Sequence, residues 1–491
     1  MNRIYRTLDQ AVDRATPRKL LWLCIALFVV YFSFVAFARH DNFYSRRLDL
    51  GNMDQTVWNV LHGNGFTLTD PMGTAQESRL AIHADFLMIL MVPLYLLWSN
   101  PKMLVLVQTV IVCLGALPVY WIASDKLKSR KLSLLFAVGY LLYPPVERMM
   151  LHDFHAVALS MTFLLFAYWY MCRKRYVWFT LFAILAGLGK EQIWLTVGLM
   201  GLYIAIRNKK IWFGLLVSFL SFFTFYYLFW RAIPAVTPAR QHFALVYLSD
   251  FGDRQNVIIK NLLEKPWIVL RTILLPDRLY YYFQLLIPLA FLPLFAPWLL
   301  IFCAHSVLIN ALSNNALLRQ IDYQYTSDIT PFLFVAAIEG YAIVSAFVSG
   351  RLQSKYGRHL LRFLPGIVMT SIGVTAILWG ELPVGMQSRF LYFTSSQPEN
   401  SVMRQVEVVV KPMYTVSATN NIGAHFSERE HLYNFPLNAL SADYSIALLG
   451  DQYAWPSGDA QKSAVDELLK SPDYTLIIHD HNFYAFKKKG L

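Results

Sequence analysis

One polar stretch lies between two hydrophobic runs near the N-terminus: Arg46-Arg47-Leu48-Asp49-Leu50-Gly51-Asn52-Met53-Asp54-Gln55-Thr56-Val57-Trp58-Asn59. Other clusters of ionisable residues at the ends of apolar runs can be placed on the same side of a bilayer as this stretch. Together these residues are Asp49, His83, Asp85, His152, Asp153, His155, Lys190 and Glu191. Charged groups at a membrane boundary are costly, so a functional role is the default explanation. The pattern therefore predicts one outer polar site that performs chemistry or binds an ionic ligand.

Composition indicates a polytopic membrane protein. Of the 491 residues, 56% are hydrophobic and 15% are aromatic. Repeated apolar runs are long enough to cross a hydrocarbon core of about 30 Å. The first run, 20–38, is too long for a signal-peptide core and lacks a small-residue cleavage site, so we expect a retained span. All four cysteines fall inside apolar runs, and disulfides therefore play no part in the prediction.

The net charge of +12 is explained by membrane topology and does not indicate a nucleic-acid partner. Basic residues concentrate in the N-terminal tail and in four short links, where the positive-inside rule expects cytoplasmic segments. They are Arg3, Arg6, Arg14, Arg18, Lys19, Lys126, Lys128, Arg130, Lys131, Arg173, Lys174, Arg175, Arg207, Lys209, Lys210, Arg351, Lys355, Arg358 and Arg362. The N-terminus is then cytoplasmic, and loops 39–103 and 232–280 and the tail 381–491 are exterior.

This topology predicts an all-α membrane domain over residues 1–380 with about 11 transmembrane helices. The third span is expected at 132–147. Residues 82–98 are expected at the outer interface, because a crossing there would place the first basic link outside. Residues 281–313 are expected to form two short spans that turn near Ala296-Pro297.

The tail 381–491 differs in composition and predicts a small exterior α/β domain. A helix-compatible segment, 461–469, accompanies its β-prone runs. Those runs are 414–417, 432–435, 444–449 and 474–479.

Asp49 is the leading candidate for a catalytic group, because it follows Arg46 and Arg47 at the outer end of the first span. A carboxylate at this place can accept a proton from an incoming hydroxyl, while guanidinium groups hold a phosphate in two hydrogen bonds. Asp54 is the reserve, and its alternative role is to cap a short amphipathic helix, 53–61. The neighbouring Gln55 is included among the substrate-binding candidates.

The clusters His83-Ala84-Asp85 and His152-Asp153-Phe154-His155 combine imidazole and carboxylate groups at short spacing. These groups ligate divalent metals, but neither spacing is a diagnostic metal signature. Each cluster is also consistent with a hydrogen-bonded interfacial cap or with a contact to substrate. The sequence is therefore consistent with a divalent cation as a cofactor and also with a site that holds no metal.

Lys190-Glu191 follows the segment 186–189, whose two glycines allow a ligand or a helix to approach closely. We expect Lys190 to contact a phosphate or carboxylate, and a lysine that only snorkels beside Glu191 is the alternative. Arg319, Tyr323 and Tyr325 precede a later span and complete the predicted ring of substrate-binding residues.

The pattern resembles a bacterial membrane family of undefined function, which is similar to the GT-C superfamily of polyprenol-phosphate-sugar-dependent glycosyltransferases. The resemblance covers almost the whole chain. Its motifs are Asp49-Leu50-Gly51, Asp54-Gln55, Trp58-Asn59, the segment 79–93, His152-Asp153-Phe154-His155, Lys190-Glu191, Tyr323-Gln324-Tyr325, Pro331-Phe332, Ser417-Ala418-Thr419-Asn420-Asn421 and Arg429-Glu430.

The resemblance implies a membrane-embedded enzyme with a catalytic acid in its first exterior loop and a lipid-linked sugar that enters from the bilayer. In the pattern of these relatives, Asp49 corresponds to the catalytic acid of the first exterior loop. Lys190 resembles the lysine after the fifth span in protein-mannosyltransferase-like and aminoarabinose-transferase-like members. His83 and Asp85 depart from the acidic pairs of those relatives, which leaves metal dependence open.

We therefore predict an inverting glycosyltransferase on the outer face of a bacterial cytoplasmic membrane, with Asp49 as general base and an unknown acceptor. Its predicted partners are a lipid-linked sugar donor and membrane lipids. Two alternatives use the same polar ring differently. A transporter or flippase would bind an anionic lipid or glycan there, but no inverted repeat with broken helices supports transport. A non-catalytic sensor would bind glycan through the tail.

Overall fold

The computed structural model describes residues 2–237, 240–351 and 355–491. Within those ranges, four helices are long and apolar enough to cross a membrane, and one bent pair forms a fifth candidate span. The four are Thr16–Asp41, Pro101–Leu127, Ile211–Val236 and Thr330–Ser349. Shorter apolar helices are Phe86–Tyr95, Ala156–Cys172, Tyr176–Gly187, Ile193–Arg207, Pro297–Leu312 and Phe363–Trp379. The predicted loop 232–280 and the last basic link include residues 238–239 and 352–354, which lie outside the described ranges.

Proline and capping residues explain several helix boundaries. Asn100 accepts a hydrogen bond from the backbone of Lys102, and Pro101 begins the second long helix, where its missing N–H is not needed. The predicted third span, 132–147, is a bent pair instead. Arg130–Leu141 and Pro144–Leu151 meet at 41°, because Pro144 and Pro145 cannot continue the preceding helix.

The region expected at the outer interface and the region expected to form two short spans both consist of short helical pieces. Residues 86–95 form a 3-10 segment, Phe86–Met91, followed by the helical turn Val92–Tyr95. Ten residues are too few for an α-helix to cross a bilayer, which needs about 20. Residues 276–312 contain the helices Pro276–Leu286 and Ala304–Leu312. Left-handed backbone at Ala290 and Phe291 interrupts the chain between them, before the turn expected near Ala296.

The tail carries a mixed five-stranded sheet. In chain order, after the two strands of a hairpin in the first loop (β1 and β2, residues 67–69 and 76–78), its strands are β3 Val416–Ala418, β4 Leu432–Asn434, β5 Tyr444–Leu448, β6 Tyr474–Asp480 and β7 Phe483–Lys488. The order across the sheet is β4-β3-β5-β7-β6. Strand β3 pairs in parallel with β4 and β5, whereas β7 is antiparallel to β5 and β6. The helix Gly458–Lys470 is capped by Ser457, whose side chain accepts from the backbone of Ala460. The sequence analysis missed β7 and the helix Asn400–Val409.

The tail packs directly on the polar stretch that follows the first helix. Arg47 donates its backbone N–H to the carbonyl of Asn420 at 2.8 Å. Gly423 allows this approach, since an added Cβ would lie 2.6 Å from the Cβ of Arg47. A short hairpin, β1 Thr67–Thr69 with β2 Gln76–Ser78, covers the other side of the same loop. The first loop is therefore fixed between the helical bundle and the tail sheet.

Candidate functional site

Asp49 lies in a π-helical turn, Arg47–Gly51, directly after an extended Arg46. Gly51 donates its backbone N–H to the carbonyl of Arg46 at 3.1 Å, five residues back. Single π-turns are rare and occur often at functional sites. The backbone N–H of Leu48 binds the side-chain oxygen of Asn420 at 2.9 Å. This support leaves the Asp49 side chain partly open, at 29% exposure.

Two histidines surround the Asp49 carboxylate. His155 Nε2 lies 3.6 Å from Asp49 Oδ1, and the rings of His152 and His155 stack with centroids 5.1 Å apart. His155 Nδ1 is 2.9 Å from the carbonyl of Asp153. A carbonyl only accepts hydrogen bonds, so Nδ1 of His155 carries a proton, and Nε2 is the ring nitrogen that faces Asp49.

The surroundings of Asp49 keep it ionised. Burial alone raises the pKa of the Asp49 carboxyl, but a hydrogen bond from His155 and the nearby charge of Arg39 outweigh it and hold the pKa below its ordinary range. Burial lowers the pKa of His152 well below its ordinary value, although the Asp49 charge opposes this effect. At neutral pH the cluster therefore combines the ionised carboxylate of Asp49 with the neutral imidazole of His152.

Glu191 is the centre of a second cluster. Its Oε1 lies 3.0 Å from His83 Nδ1 and 3.2 Å from His242 Nε2, and its Oε2 accepts the backbone N–H of Ala84 at 3.1 Å. His242 Nδ1 accepts from the backbone of Ala244 at 3.1 Å, so the proton of a neutral His242 sits on Nε2 and points at Glu191. The buried carboxylate thus joins three separate segments of the chain.

The charge states of His83 and Glu191 in the second cluster also follow from their surroundings. Burial lowers the pKa of His83 to about 4, and the charge of Lys190 adds to this effect. Burial raises the pKa of the Glu191 carboxyl, but His83, the hydrogen bond from His242 and the charge of Lys190 hold it well below its usual range. At neutral pH, Glu191 is therefore an ionised, hydrogen-bonded carboxylate and His83 is neutral.

One small cleft connects the two clusters. It is lined by Met53, His83, Asp85, His155, Ala156, Val157, Gly189, Lys190 and Gln324. Its volume of about 20 Å³ is room for about one water-sized group. Lys190 Nζ lies 6.0 Å from the ring centroid of Tyr325, and within the described ranges no carboxylate pairs with it. Tyr323 packs its ring against the edge of His152 at 5.0 Å.

Other predicted site residues are engaged in contacts that hold the fold. Asp153 pairs with the Arg39 guanidinium and accepts the backbone N–H of Arg46 at 3.1 Å. Asp85 accepts from Arg79 Nη2 at 2.6 Å, with both side chains buried. The structure therefore places Asp153 behind the Asp49 turn and Asp85 in a closed ion pair.

Asp54 is completely buried in the helix Asn52–Leu61. It accepts hydrogen bonds from the Tyr95 hydroxyl at 2.5 Å and from the Ser427 hydroxyl at 2.7 Å. Burial, with the nearby charge of Glu428, raises the pKa of the Asp54 carboxyl well above its ordinary value. Its position joins the first loop to the tail and keeps it away from the cleft.

Arg47, Gln55 and Arg319 also bind the protein itself. Arg47 has 0% exposure and donates to the carbonyl of Leu432 at 2.6 Å. Gln55 donates to the Thr69 hydroxyl at 3.0 Å, and Arg319 donates to the carbonyl of Ser313 at 2.6 Å. These contacts leave Arg46 as the more accessible arginine of the first loop.

Three residues that build the site were not predicted from the sequence: Arg39, His242 and Asp451. A signal was present for Arg39, since it is a charged residue at the end of the first apolar run. His242 and Asp451 lie in long polar segments, and nothing in their spacing indicates that they turn toward Glu191 or Arg46. Asn420 belongs to a motif of the family resemblance, but no role was predicted for it.

Comparisons with known proteins support the fold. A family model described as "Predicted membrane protein (DUF2079)" matches residues 39–475. Comparison with curated proteins gives no match. Two solved structures of ArnT from Cupriavidus metallidurans are similar, one bound to undecaprenyl phosphate (13% identity, TM-score 0.51) and one in the apo state (11% identity, TM-score 0.53). Each alignment covers 94% of this chain and 97% of the ArnT chain. The predicted GT-C-like membrane fold with a small C-terminal sheet is confirmed.

Proposed function

Because this chain belongs to the DUF2079 family of predicted membrane proteins and has the fold of ArnT, we propose that it is a membrane glycosyltransferase with a polyprenyl-phosphate-linked sugar donor. The observation that carries the proposal is Asp49, an ionised and partly exposed carboxylate in a π-turn beside two histidines. The ArnT structure that contains undecaprenyl phosphate supports a lipid-phosphate donor. The proposed location is the outer face of a bacterial cytoplasmic membrane.

In the proposed reaction, the acceptor hydroxyl loses its proton as its oxygen bonds to the anomeric carbon of the sugar. The bond from that carbon to the phosphate oxygen breaks, its electron pair leaves on the polyprenyl phosphate, and the anomeric configuration inverts. A carboxylate with a low pKa is always ionised but is a weak base. Asp49 therefore accepts the proton as the new carbon–oxygen bond forms and the hydroxyl becomes more acidic, and His155 Nε2, 3.6 Å away, orients the carboxylate.

The charge that develops on the leaving phosphate needs cations at the cleft. Lys190 meets this need, because it lines the cleft and has no carboxylate partner in the described part of the chain. Arg46 lies three residues before Asp49 and contributes positive charge at the other side of the turn. Arg47 is completely buried and stabilises the fold of the loop.

The two histidine–carboxylate clusters differ in how well they fit a divalent cation. Ligand atoms of Asp49, His152 and His155 lie within 4.8 Å of one another, and so do those of His83, Glu191 and His242. The first set fits, since the Nδ1–H of His155 binds a carbonyl and its Nε2 is free for a metal. In the second set, His242 presents Nε2–H toward Glu191. Asp49, His152 and His155 would therefore hold the ion, which would supply Lewis-acid stabilisation of phosphate.

A cation bound to Asp49 and proton transfer to Asp49 exclude one another, because both use the carboxylate lone pairs. We expect sugar release to survive exhaustive chelation with EDTA, since Asp49 accepts the proton without a metal. The measurement is release of sugar from the donor before and after chelation, with residual metal determined by mass spectrometry. Activity that is lost and then restored by one divalent metal would assign this cluster to a cation.

The donor itself tests the proposed function. Lipids that copurify with the protein are identified by mass spectrometry, and the protein is then incubated with the matching undecaprenyl-phosphate sugar. We expect cleavage of the bond between sugar and phosphate, with an inverted anomer in the product. Movement of intact donor across vesicle membranes without cleavage would support a flippase. Glycan binding through the tail, without donor binding, would support a sensor.

Replacing Lys190 with methionine should lower donor affinity by about one to two orders of magnitude, because a charged hydrogen bond contributes about 1.5–3 kcal/mol. Thermal stability should stay close to wild type, since no salt bridge is lost. Both quantities are measured on the same detergent preparation. Lys102→Met is the matched control, because Lys102 already pairs with Asp41. Lost stability with unchanged donor affinity would instead make Lys190 a part of the scaffold.

A further inference from the structure

A loop of the tail reaches the residue that precedes the Asp49 turn. This loop, 449–456, follows β5 and contains Gly450, whose φ of +92° favours a residue without a side chain. The carboxylate of Asp451 then accepts two hydrogen bonds from the Arg46 guanidinium, at 2.7 and 3.2 Å. Such paired contacts fix orientation as well as distance. The tail thus holds the guanidinium of Arg46, while Asp153 of the helical bundle accepts the backbone N–H of the same residue.

Asp451 also orders its own loop. Its Oδ1 accepts the backbone N–H of Tyr453 at 3.1 Å, and the Tyr453 ring lies over the Arg46 guanidinium at 4.9 Å. Tyr453 nevertheless remains 61% exposed. One part of the ring is therefore supported by the guanidinium, and the rest faces open space.

Tyr453 is linked to the Asp49 turn through Arg46, which lies three residues before Asp49 and contacts the Tyr453 ring. Tyr323 is linked to the same site from the other elements, because its ring contacts His152, which stacks on His155. Burial raises the pKa of Tyr323, and the nearby Tyr453, Asp322 and Asp49 raise it further. The histidine pair and Tyr453 are thus both connected to the Asp49 turn.

We propose that loop 449–456 forms one wall of the active site, in which Tyr453 stacks on the sugar of the donor and Asp451 is a positioning residue. The proposal rests on the proposed glycosyl transfer. A sugar ring has a face of C–H groups that packs on an aromatic ring, and tyrosine offers this area at a low entropic cost. The support of Arg46 beneath the ring fixes Tyr453 before the donor arrives.

The test compares two lipids, undecaprenyl phosphate and undecaprenyl-phosphate mannose or aminoarabinose, whichever sugar the wild type prefers. Dissociation constants of both lipids are measured for the full-length wild type, Tyr453→Phe and Tyr453→Ala. We expect Tyr453→Ala to lose a roughly three- to tenfold preference for the sugar-bearing lipid. Tyr453→Phe should retain the preference, and affinity for undecaprenyl phosphate should not change. Tyr484→Ala is the control, because Tyr484 stacks on His479 elsewhere in the same sheet.

The role of Asp451 is tested with the ratio of the dissociation constants for undecaprenyl phosphate and for its sugar-bearing form. Asp451→Asn should reduce the preference for the sugar-bearing lipid, and Asp451→Glu should restore part of it by pairing again with Arg46. A Tyr453→Ala variant with the wild-type ratio, or a wild type without any preference for a sugar, would overturn the proposal. A preference that depends on Tyr453 without any cleavage of the donor would support the sugar contact and refute the proposed transfer.

Discussion

Replacing Asp49 with asparagine is expected to reduce sugar transfer by about 10²–10⁴-fold, the usual contribution of a general base. Asparagine keeps the shape of the side chain but cannot accept the proton. Donor affinity should change little, because the amide still fits the π-turn and Lys190 is untouched. Rate and donor affinity are measured separately under single-turnover conditions, so that the loss is assigned to the chemical step.

Asp54→Asn is the matched control, because Asp54 is a carboxylate in the same loop that is buried between Tyr95 and Ser427. We expect this variant to change thermal stability more than the rate of transfer. The base would be misassigned if Asp49→Asn kept wild-type turnover and Asp54→Asn were folded but inactive. Full activity in both variants would refute a carboxylate base.

The pH dependence of Asp49 follows from the sign of its pKa shift. The folded-state pKa lies below the ordinary value of 3.8, so the stabilisation from its ionised form is complete above that value. This stabilisation is lost only as the pH falls through the lower, folded-state pKa. Asp49 should therefore cause no loss of activity or stability between pH 8 and 5.

The sequence located the polar segments but not all their contacts. Their positions at the ends of apolar runs predicted that distant segments would share one face, and the structure brings Asp49 beside His155 and His83 beside Glu191. Pairing is a tertiary property, however. Asp153 meets Arg39 from 114 residues away, and no local spacing distinguishes that pair from a free carboxylate. The catalytic and binding roles of these residues stay predictions.

The tail shows that local sequence also predicts only part of the fold. The β-prone runs 432–435, 444–449 and 474–479 predicted β4, β5 and β6 close to their observed positions. Strand β7, Phe483–Lys488, ends in two lysines, and its pattern alone is weak. It becomes a strand because it pairs with both β5 and β6. Context of this kind outweighs local β-propensity.

Replacing Arg79 with methionine should lower thermal stability more than any other single change considered. Arg79 donates to Asp85 through Nε at 3.1 Å and Nη2 at 2.6 Å, and both side chains are almost completely buried. Removing one partner leaves an unpaired buried charge, which costs about 3–5 kcal/mol. We expect the midpoint of thermal unfolding in detergent to fall by roughly 5–10 °C.

The double variant Arg79→Met/Asp85→Leu separates the structural role of Asp85 from its predicted role as a substrate contact. Removing both charges eliminates the unpaired carboxylate, so we expect the double variant to recover a large part of the lost stability, as buried pairs replaced by apolar residues often do. Donor affinity of the double variant should then match that of wild type, because both carboxylate oxygens of Asp85 already accept hydrogen bonds from Arg79. Recovered stability combined with lost donor affinity would contradict this structural role. Asp85 would then contact the donor from its place beside His83 in the cleft.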